Sequence, residues 1–245
     1  PAVLGVQSAE AMKELKQQCE RKGIAPVEVD EKALYAESWE LQKQSFSYKT
    51  WSKITIRLVG DYQRKNAAVA LEALHLLQQY EPRLTEERIR QGMACAEWPG
   101  RFMVVCEEPL VIIDGAHNSE GAQALAESLQ HLQGKKCWLL MGVFRDKDYI
   151  EIAKIMRSCG DTIYCFTPEA ERGLASGQLA EAITPYYSSV IDAKTAEQAV
   201  ASVWERAAKE DIIVSFGSLS TVQAVRQAIK QRRIADEAYR SNFEK

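Results

Sequence analysis

One short segment concentrates the side chains most able to handle a phosphorylated ligand: Ile112-Ile113-Asp114-Gly115-Ala116-His117-Asn118-Ser119. An apolar run ending in Asp-Gly reads as a buried strand closing on a tight turn, and ligands of open α/β sheets gather at such strand ends. A carboxylate there accepts from ribose hydroxyls or orients a base, while His117 and Asn118 project from the loop. The helix start beyond offers backbone N–H groups to an anion. On residue types alone, Asp114 and Asn118 read equally well as caps of the turn and the helix. Trp98-Pro99-Gly100-Arg101 presents an arginine behind a Pro-Gly corner. Its planar guanidinium suits phosphate, although an ordinary surface arginine fits the same residues. Gly60-Asp61-Tyr62-Gln63-Arg64-Lys65-Asn66 opens a long helical stretch, where the Asn66 amide reads a base edge or remains a solvated or capping group.

The elements that must position these residues follow from periodicity. From Trp98 onward, strand candidates fall at Phe102–Cys106, Leu110–Asp114, Cys137–Gly142, Thr162–Phe166, Ser189–Ile191 and Ile212–Phe216. Helix candidates fill the gaps at Ser119–Gln133, Asp148–Ser158, Gly177–Ile183, Thr195–Lys209 and Ser218–Lys230. Continuously apolar strands alternating with helices predict a mostly parallel sheet covered on both faces. The first half has a different texture. Ala9–Arg21 is an amphipathic helix stopped by Gly23, Pro26–Asp30 a short strand, and residues 35–59 antiparallel or mixed strands. A helix over Tyr62–Tyr80 and another capped by Thr85 follow. The change in texture divides the chain into residues 1–97 and 98–245.

A formal charge of -3 gives no reason to expect a nucleic acid or an anionic membrane as partner. The longest apolar runs, such as Cys137–Met141, are strand-sized rather than membrane-spanning. Six scattered cysteines without a CxxC pair predict neither a zinc site nor a disulfide framework, and a cytoplasmic protein is expected. His75, within an apolar helix, and His131, near a helix end, read as packing or surface positions.

Taken together, Gly60-Asp61-Tyr62-Gln63…Asn66, Trp98-Pro99-Gly100-Arg101 and Asp114-Gly115-Ala116-His117-Asn118 resemble the folylpolyglutamate synthases and their bifunctional dihydrofolate synthase relatives in order and spacing. Met141–Asp148, Gly217-Ser218 and the opening Pro1–Gln7 resemble further segments of that family, so the likeness covers essentially the whole chain. Asp-Gly-Ala-His-Asn is its most specific element. The resemblance implies an α/β ligase of the Mur type: the end of a central ATPase domain, then a C-terminal Rossmann-like domain that closes over the nucleotide. Matched position by position, Asn66, Arg101 and Asp114 fall on ATP-contacting residues. His117 falls near the reacting phosphate, and Ser218 near the cleft between the family's domains. The implied ligands are ATP with Mg²⁺, a folate or dihydropteroate, and L-glutamate, and the implied state is a monomer. At Glu171-Arg172-Gly173-Leu174 the chain departs from the family's Pro-Arg-(Ala/Ser) turn, which leaves no basis for a substrate role of Arg172.

Neither a G-x-x-x-x-G-K-[ST] phosphate loop nor the family's shorter Gly-Lys-Gly variant occurs. In the family the metal ligands also precede the segment that Pro1–Gln7 resembles. The chain is therefore expected to be part of a longer enzyme, without metal ligands of its own and inactive alone. Two other readings fit less of the sequence: a ligase adding amino acids to a cell-wall muramyl nucleotide, and a non-catalytic nucleotide-binding module.

Overall fold

A computed structural model describes residues 1–243 of the chain, with side chains through residue 235. Two compact units emerge, Pro1–Trp98 and the remainder from Pro99 onward.

In the first unit, β1 (Ala2–Leu4) pairs in parallel with β2 (Pro26–Glu28) across helix α1 (Ala9–Arg21). The Ser8 hydroxyl caps α1 by accepting from the Ala11 N–H at 3.3 Å. A three-stranded antiparallel sheet follows, β3 (Leu34–Glu40), β4 (Lys43–Tyr48) and β5 (Trp51–Ile56). Strand alternation turns Phe46, Tyr48, Ile54 and Ile56 inward, each at most 1% exposed. They pack with Ala67, Ala68 and Leu71 of α2 (Asp61–Gln78) and with Ile89 and Met93 of α3 (Glu86–Cys95). Sequence periodicity places α1 at its observed bounds, and the Thr85 cap marks the observed start of α3. It misses β1, whose three residues are too few to show a period.

The second unit carries a six-stranded sheet: β6 (Met103–Glu107), β7 (Leu110–Ile113), β8 (Cys137–Met141), β9 (Thr162–Phe166), β10 (Ser189–Lys194) and β11 (Ile212–Phe216). Their spatial order is β10-β9-β8-β11-β7-β6, and every pairing is parallel except that of the edge strand β6 with β7. Helices α4 (Ser119–Leu129), α5 (Tyr149–Met156) and α6 (Ser176–Ile183) make the crossovers from β7 to β10 and pack in series. Helix α7 (Ala196–Trp204) returns the chain to β11 and packs against α8 (Val222–Phe243). Val111, Ile113, Leu140, Tyr164, Phe166 and Ile213 join Val200, Val203, Val225 and Ile229 in one core on the α7/α8 side. The alternate residues Ile112, Leu139, Met141, Ile163, Cys165 and Val214, none above 0% exposed, face the opposite side. Both faces are covered, as the apolar strands require.

Several boundaries differ from the periodicity, among them α8, which runs to Phe243 rather than Lys230, and α4, which ends at Leu129 rather than Gln133; three of the shifts have a visible cause. Helix α7 stops at Trp204 rather than Lys209, because the Arg206 and Ala207 N–H groups both close onto the Val203 carbonyl and the Asp211 carboxylate takes the Ala208 N–H at 3.0 Å. Strand β10 runs on to Lys194 through an irregularity at Asp192 and Lys194 that carries no apolar signal. Helix α8 begins at Val222, because Ser218 first caps a single 3-10 turn, Leu219–Thr221.

Buried Glu72 of α2 anchors the first unit, accepting from the Tyr48 hydroxyl at 2.6 Å and from the Lys49 ammonium. Burial, aided by the Glu72 carboxylate, raises the Tyr48 phenol, and the hydrogen bond to Glu72 raises Lys49. Both groups hold their protons more firmly when folded, so their contribution is complete below about pH 10 and is lost as pH climbs through the raised values. Tyr48→Phe is expected to lower stability by about 1 kcal/mol at pH 8 and to flatten the alkaline loss, as read by urea unfolding at pH 8 and pH 11.

Candidate functional site

In an open α/β sheet a crevice forms where neighbouring strands send their connections to opposite faces. Here that point lies between β7, which continues into α4, and β11, which continues into α8. The Asp114–Asn118 loop leaves β7 and the Gly217-Ser218 turn leaves β11, so two of the sequence-predicted segments flank the switch point.

Asp114 is 2% exposed and its carboxylate spans the loop. Oδ2 accepts from the Phe102 N–H and Oδ1 from the Ala116 N–H, both at 2.7 Å. The Gly115 N–H donates to the Gly100 carbonyl at 2.7 Å, which sets the Trp98–Arg101 corner beside the loop. The Gly217 N–H donates to the Ala116 carbonyl at 2.8 Å, tying in the end of β11. Approach this close requires glycine at position 217, whose φ is +111° and where a Cβ would lie 2.5 Å from the Gly142 carbonyl oxygen. A Cβ on Gly115 would lie 2.1 Å from Leu219 Cδ2, the movable end of an exposed side chain.

His117 is half-buried, with Nδ1 2.8 Å from the Gly115 carbonyl oxygen. A carbonyl only accepts, so Nδ1 carries the proton and Nε2 is left for a ligand. Nε2 therefore accepts when the ring is neutral and donates only as imidazolium. Asn118 caps α4, its Oδ1 accepting from the Gly121 N–H at 2.8 Å, while Glu120 sets a carboxylate in the first turn. That helix start is thus already complemented and adds little to anion binding. Arg101 is half-buried, and its guanidinium has no hydrogen-bond or ion-pair partner among the described residues. It is the free cation of this cluster. Ser218, 4% exposed, spends its hydroxyl on Ser220, accepting from the Ser220 N–H at 3.2 Å and bonding its Oγ at 2.9 Å. Its side chain shapes the turn.

Asn66 belongs to the first unit, where it is exposed on the second turn of α2 and donates from Nδ2 to Gln63 Oε1 at 3.2 Å. Arg172 is exposed over the Phe144 ring at 4.7 Å, with its guanidinium 3.7 Å from Asp146. His75 and His131 are exposed, and all six cysteines are free. Among the described residues no group of three or more His, Cys, Asp or Glu is placed to hold a metal ion, and no helix is long and apolar enough to cross a membrane.

Residues 100–219 match the family described as Mur ligase, glutamate ligase domain. The folylpolyglutamate synthase of Lacticaseibacillus casei is 30% identical over 195 residues, covering 76% of this chain and 44% of that protein. The structure of Mycobacterium tuberculosis folylpolyglutamate synthase complexed with ADP aligns with a TM-score of 0.81 at 26% identity, over 92% of this chain and 54% of its own. The chain belongs to the folylpolyglutamate synthase/dihydrofolate synthase branch of the Mur ligases. The Bacillus subtilis dihydrofolate synthase/folylpolyglutamate synthase is 27% identical over 242 residues, 94% of this chain and 55% of the relative. Escherichia coli FolC in complex with DHPP and ADP aligns with a TM-score of 0.71 at 28% identity, over 90% of this chain and 51% of the other. The chain spans about half the length of the curated relatives it matches.

Gln44, which with Gln63 and Arg64 holds the start of α2, escapes a search for motifs. The one trace in the sequence is a glutamine in the inward register of β4, in line with Phe46 and Tyr48.

Because each Asp114 carboxyl oxygen accepts from a backbone N–H, Asp114→Asn turns an N–H₂ toward one of them. The variant is expected to lose about 2–3 kcal/mol of stability, read by thermal unfolding with Asn118→Ala as the milder comparison.

Proposed function

We propose that these 245 residues form part of an ATP-dependent, ADP-forming ligase that adds L-glutamate to folates, and to dihydropteroate, through an acyl phosphate. The observation that carries this reading is the unpaired guanidinium of Arg101, held beside the Asp114–His117 loop at the sheet's switch point in the segment matching the glutamate ligase domain. The reaction balances as follows. The acceptor carboxylate attacks the γ-phosphorus of ATP and ADP departs; the glutamate α-amine then attacks the acyl carbon, inorganic phosphate departs, and the amine's proton is released.

Such chemistry depends on positioning and charge compensation. Arg101 has both donors of its fork available for phosphate oxygens. Asp114 serves by fixing the 100–102 and 114–116 segments through its two backbone hydrogen bonds, beside the bound nucleoside. Nε2 of His117 takes the amine's proton when neutral, or donates to a phosphate oxygen as imidazolium. Asn66 offers its free carbonyl and second N–H to the base. Ser218 enters through the shape of its turn. No metal step is assigned to this chain, since its described residues provide no ligand cluster for the Mg²⁺ expected with ATP. The phosphate loop is likewise not among these residues, so the reading requires further polypeptide to supply it. A monomer working in the cytoplasm fits the free cysteines and ordinary charge.

Calorimetric titration with Mg-ATP tests the proposal, comparing the 245-residue chain with the natural gene product. The expected outcome is tight binding, and ADP release dependent on folate and glutamate, in the gene product alone. Arg101→Ala should then lower kcat/KM roughly 10²-fold. Tight binding by the 245 residues would overturn it in favour of a self-contained nucleotide-binding module, and unchanged kinetics in Arg101→Ala would remove the role given to Arg101.

A further inference from the structure

Helices α1, α3, α4, α5 and α7 all begin under a side-chain cap, from Ser8, Thr85, Asn118, Asp148 and Thr195. Helix α2 does not: its N-cap is Gly60, at φ +109°, with no side chain to offer. The backbone there is held from outside. Gln44 on β4 is 0% exposed, and its Nε2 donates to the Leu58 carbonyl at 2.7 Å and to the Gly60 carbonyl at 2.9 Å. Its Oε1 accepts from Arg64 Nη1 at 2.6 Å, and Arg64 pairs with Asp61, the first helical residue, at 3.0 Å. One buried amide thus fastens the loop before α2 and the helix's first two turns.

The same bonds lead outward to Asn66. The Gly60 carbonyl that accepts from Gln44 also accepts from the Gln63 N–H at 3.0 Å, and Gln63 Oε1 accepts from Asn66 Nδ2. Gln63 is itself only 5% exposed, so its acceptor is set by packing. This orients the Asn66 amide and leaves its carbonyl and second N–H unengaged among the described residues. An apolar side chain at position 44 would fit beside Phe46 without the desolvation of a polar group. A buried glutamine there is explained by what it holds.

We infer that Gln44 is a positioning residue for nucleotide binding, acting through the Gly60–Gln63 bonds to aim the Asn66 amide at the base. The inference rests on the nucleotide role given to Asn66 under Proposed function. The test measures ATP KM and kcat in the natural gene product for Gln44→Met, Asn66→Ala and the double variant. Lost binding shared by ground and transition states raises KM and leaves kcat alone. Gln44→Met is therefore expected to raise ATP KM roughly tenfold with kcat within about twofold, beside a lowered melting temperature because the Leu58 and Gly60 carbonyls lose a donor. The double variant should be no worse than Asn66→Ala, because both changes break one chain of bonds.

If Asn66→Ala raises KM while Gln44→Met does not, or if the two effects add, the positioning role is overturned and the nucleotide reading stands. If Asn66→Ala leaves KM unchanged, the nucleotide role of Asn66 falls, and this inference with it. Arg64→Met removes the donor on Gln44 Oε1 and tests the same link without emptying the core. It should raise ATP KM roughly threefold, and a KM equal to that of the parent enzyme would count against the inference even were Gln44→Met not to fold.

Discussion

A carboxylate withdrawn from water is costly unless donors surround it, and Asp114 satisfies that condition with backbone N–H groups from two chain segments. The Phe102 N–H lies at the entry to β6 and the Ala116 N–H at the exit from β7, so the Asp114 charge fixes where an incoming corner and an outgoing loop meet. Everything else at the switch point is arranged around that junction. The Gly115–Gly100 and Gly217–Ala116 bonds complete a continuous backbone weave at the ends of β7 and β11. Arg101 and His117 occupy the two chain segments that the carboxylate joins, so their directions are inherited from it.

The first unit solves a similar problem with a neutral group. Gln44 fastens the backbone carbonyls ahead of α2, as Asp114 fastens backbone N–H groups around its turn. Both are nearly inaccessible to solvent, and both act on backbone near a residue with hydrogen-bonding groups still available among the described residues, Asn66 in one unit and Arg101 in the other. Placing a buried polar side chain beneath an available one gives rigidity without using up the available one's hydrogen bonds, which is what a preorganised site requires.

Local chemistry made much of this legible in the sequence. Ser8, Thr85 and Asn118 are strong N-caps, and continuous apolar runs identified β7, β8, β9 and β11 with bounds within a residue or so. The Asp-Gly-Ala-His-Asn segment stands out as a candidate site because composition, strand end and helix start coincide there. Long-range contacts set what was not legible. Helix α7 ends early because Asp211, itself bonded to Trp138 Nε1 at 2.8 Å, reaches back to Ala208. The hydroxyl of Ser218 looks like a ligand group in one dimension and proves to be the cap of a turn. Gln44 belongs to no motif, and only the register of β4 reveals that it faces inward.

The central claim is that this chain serves folate glutamylation. The most direct measurement is mass spectrometry of the acceptor after incubating the natural gene product with ATP, L-glutamate and either dihydropteroate, tetrahydrofolate or a muramyl nucleotide. The account predicts a pteridine product heavier by one glutamyl residue, formed with one ADP per amide bond and dependent on glutamate. A muramyl nucleotide that gains the amino acid while both pteridines return unchanged, or ADP release with no acceptor modified, would contradict it.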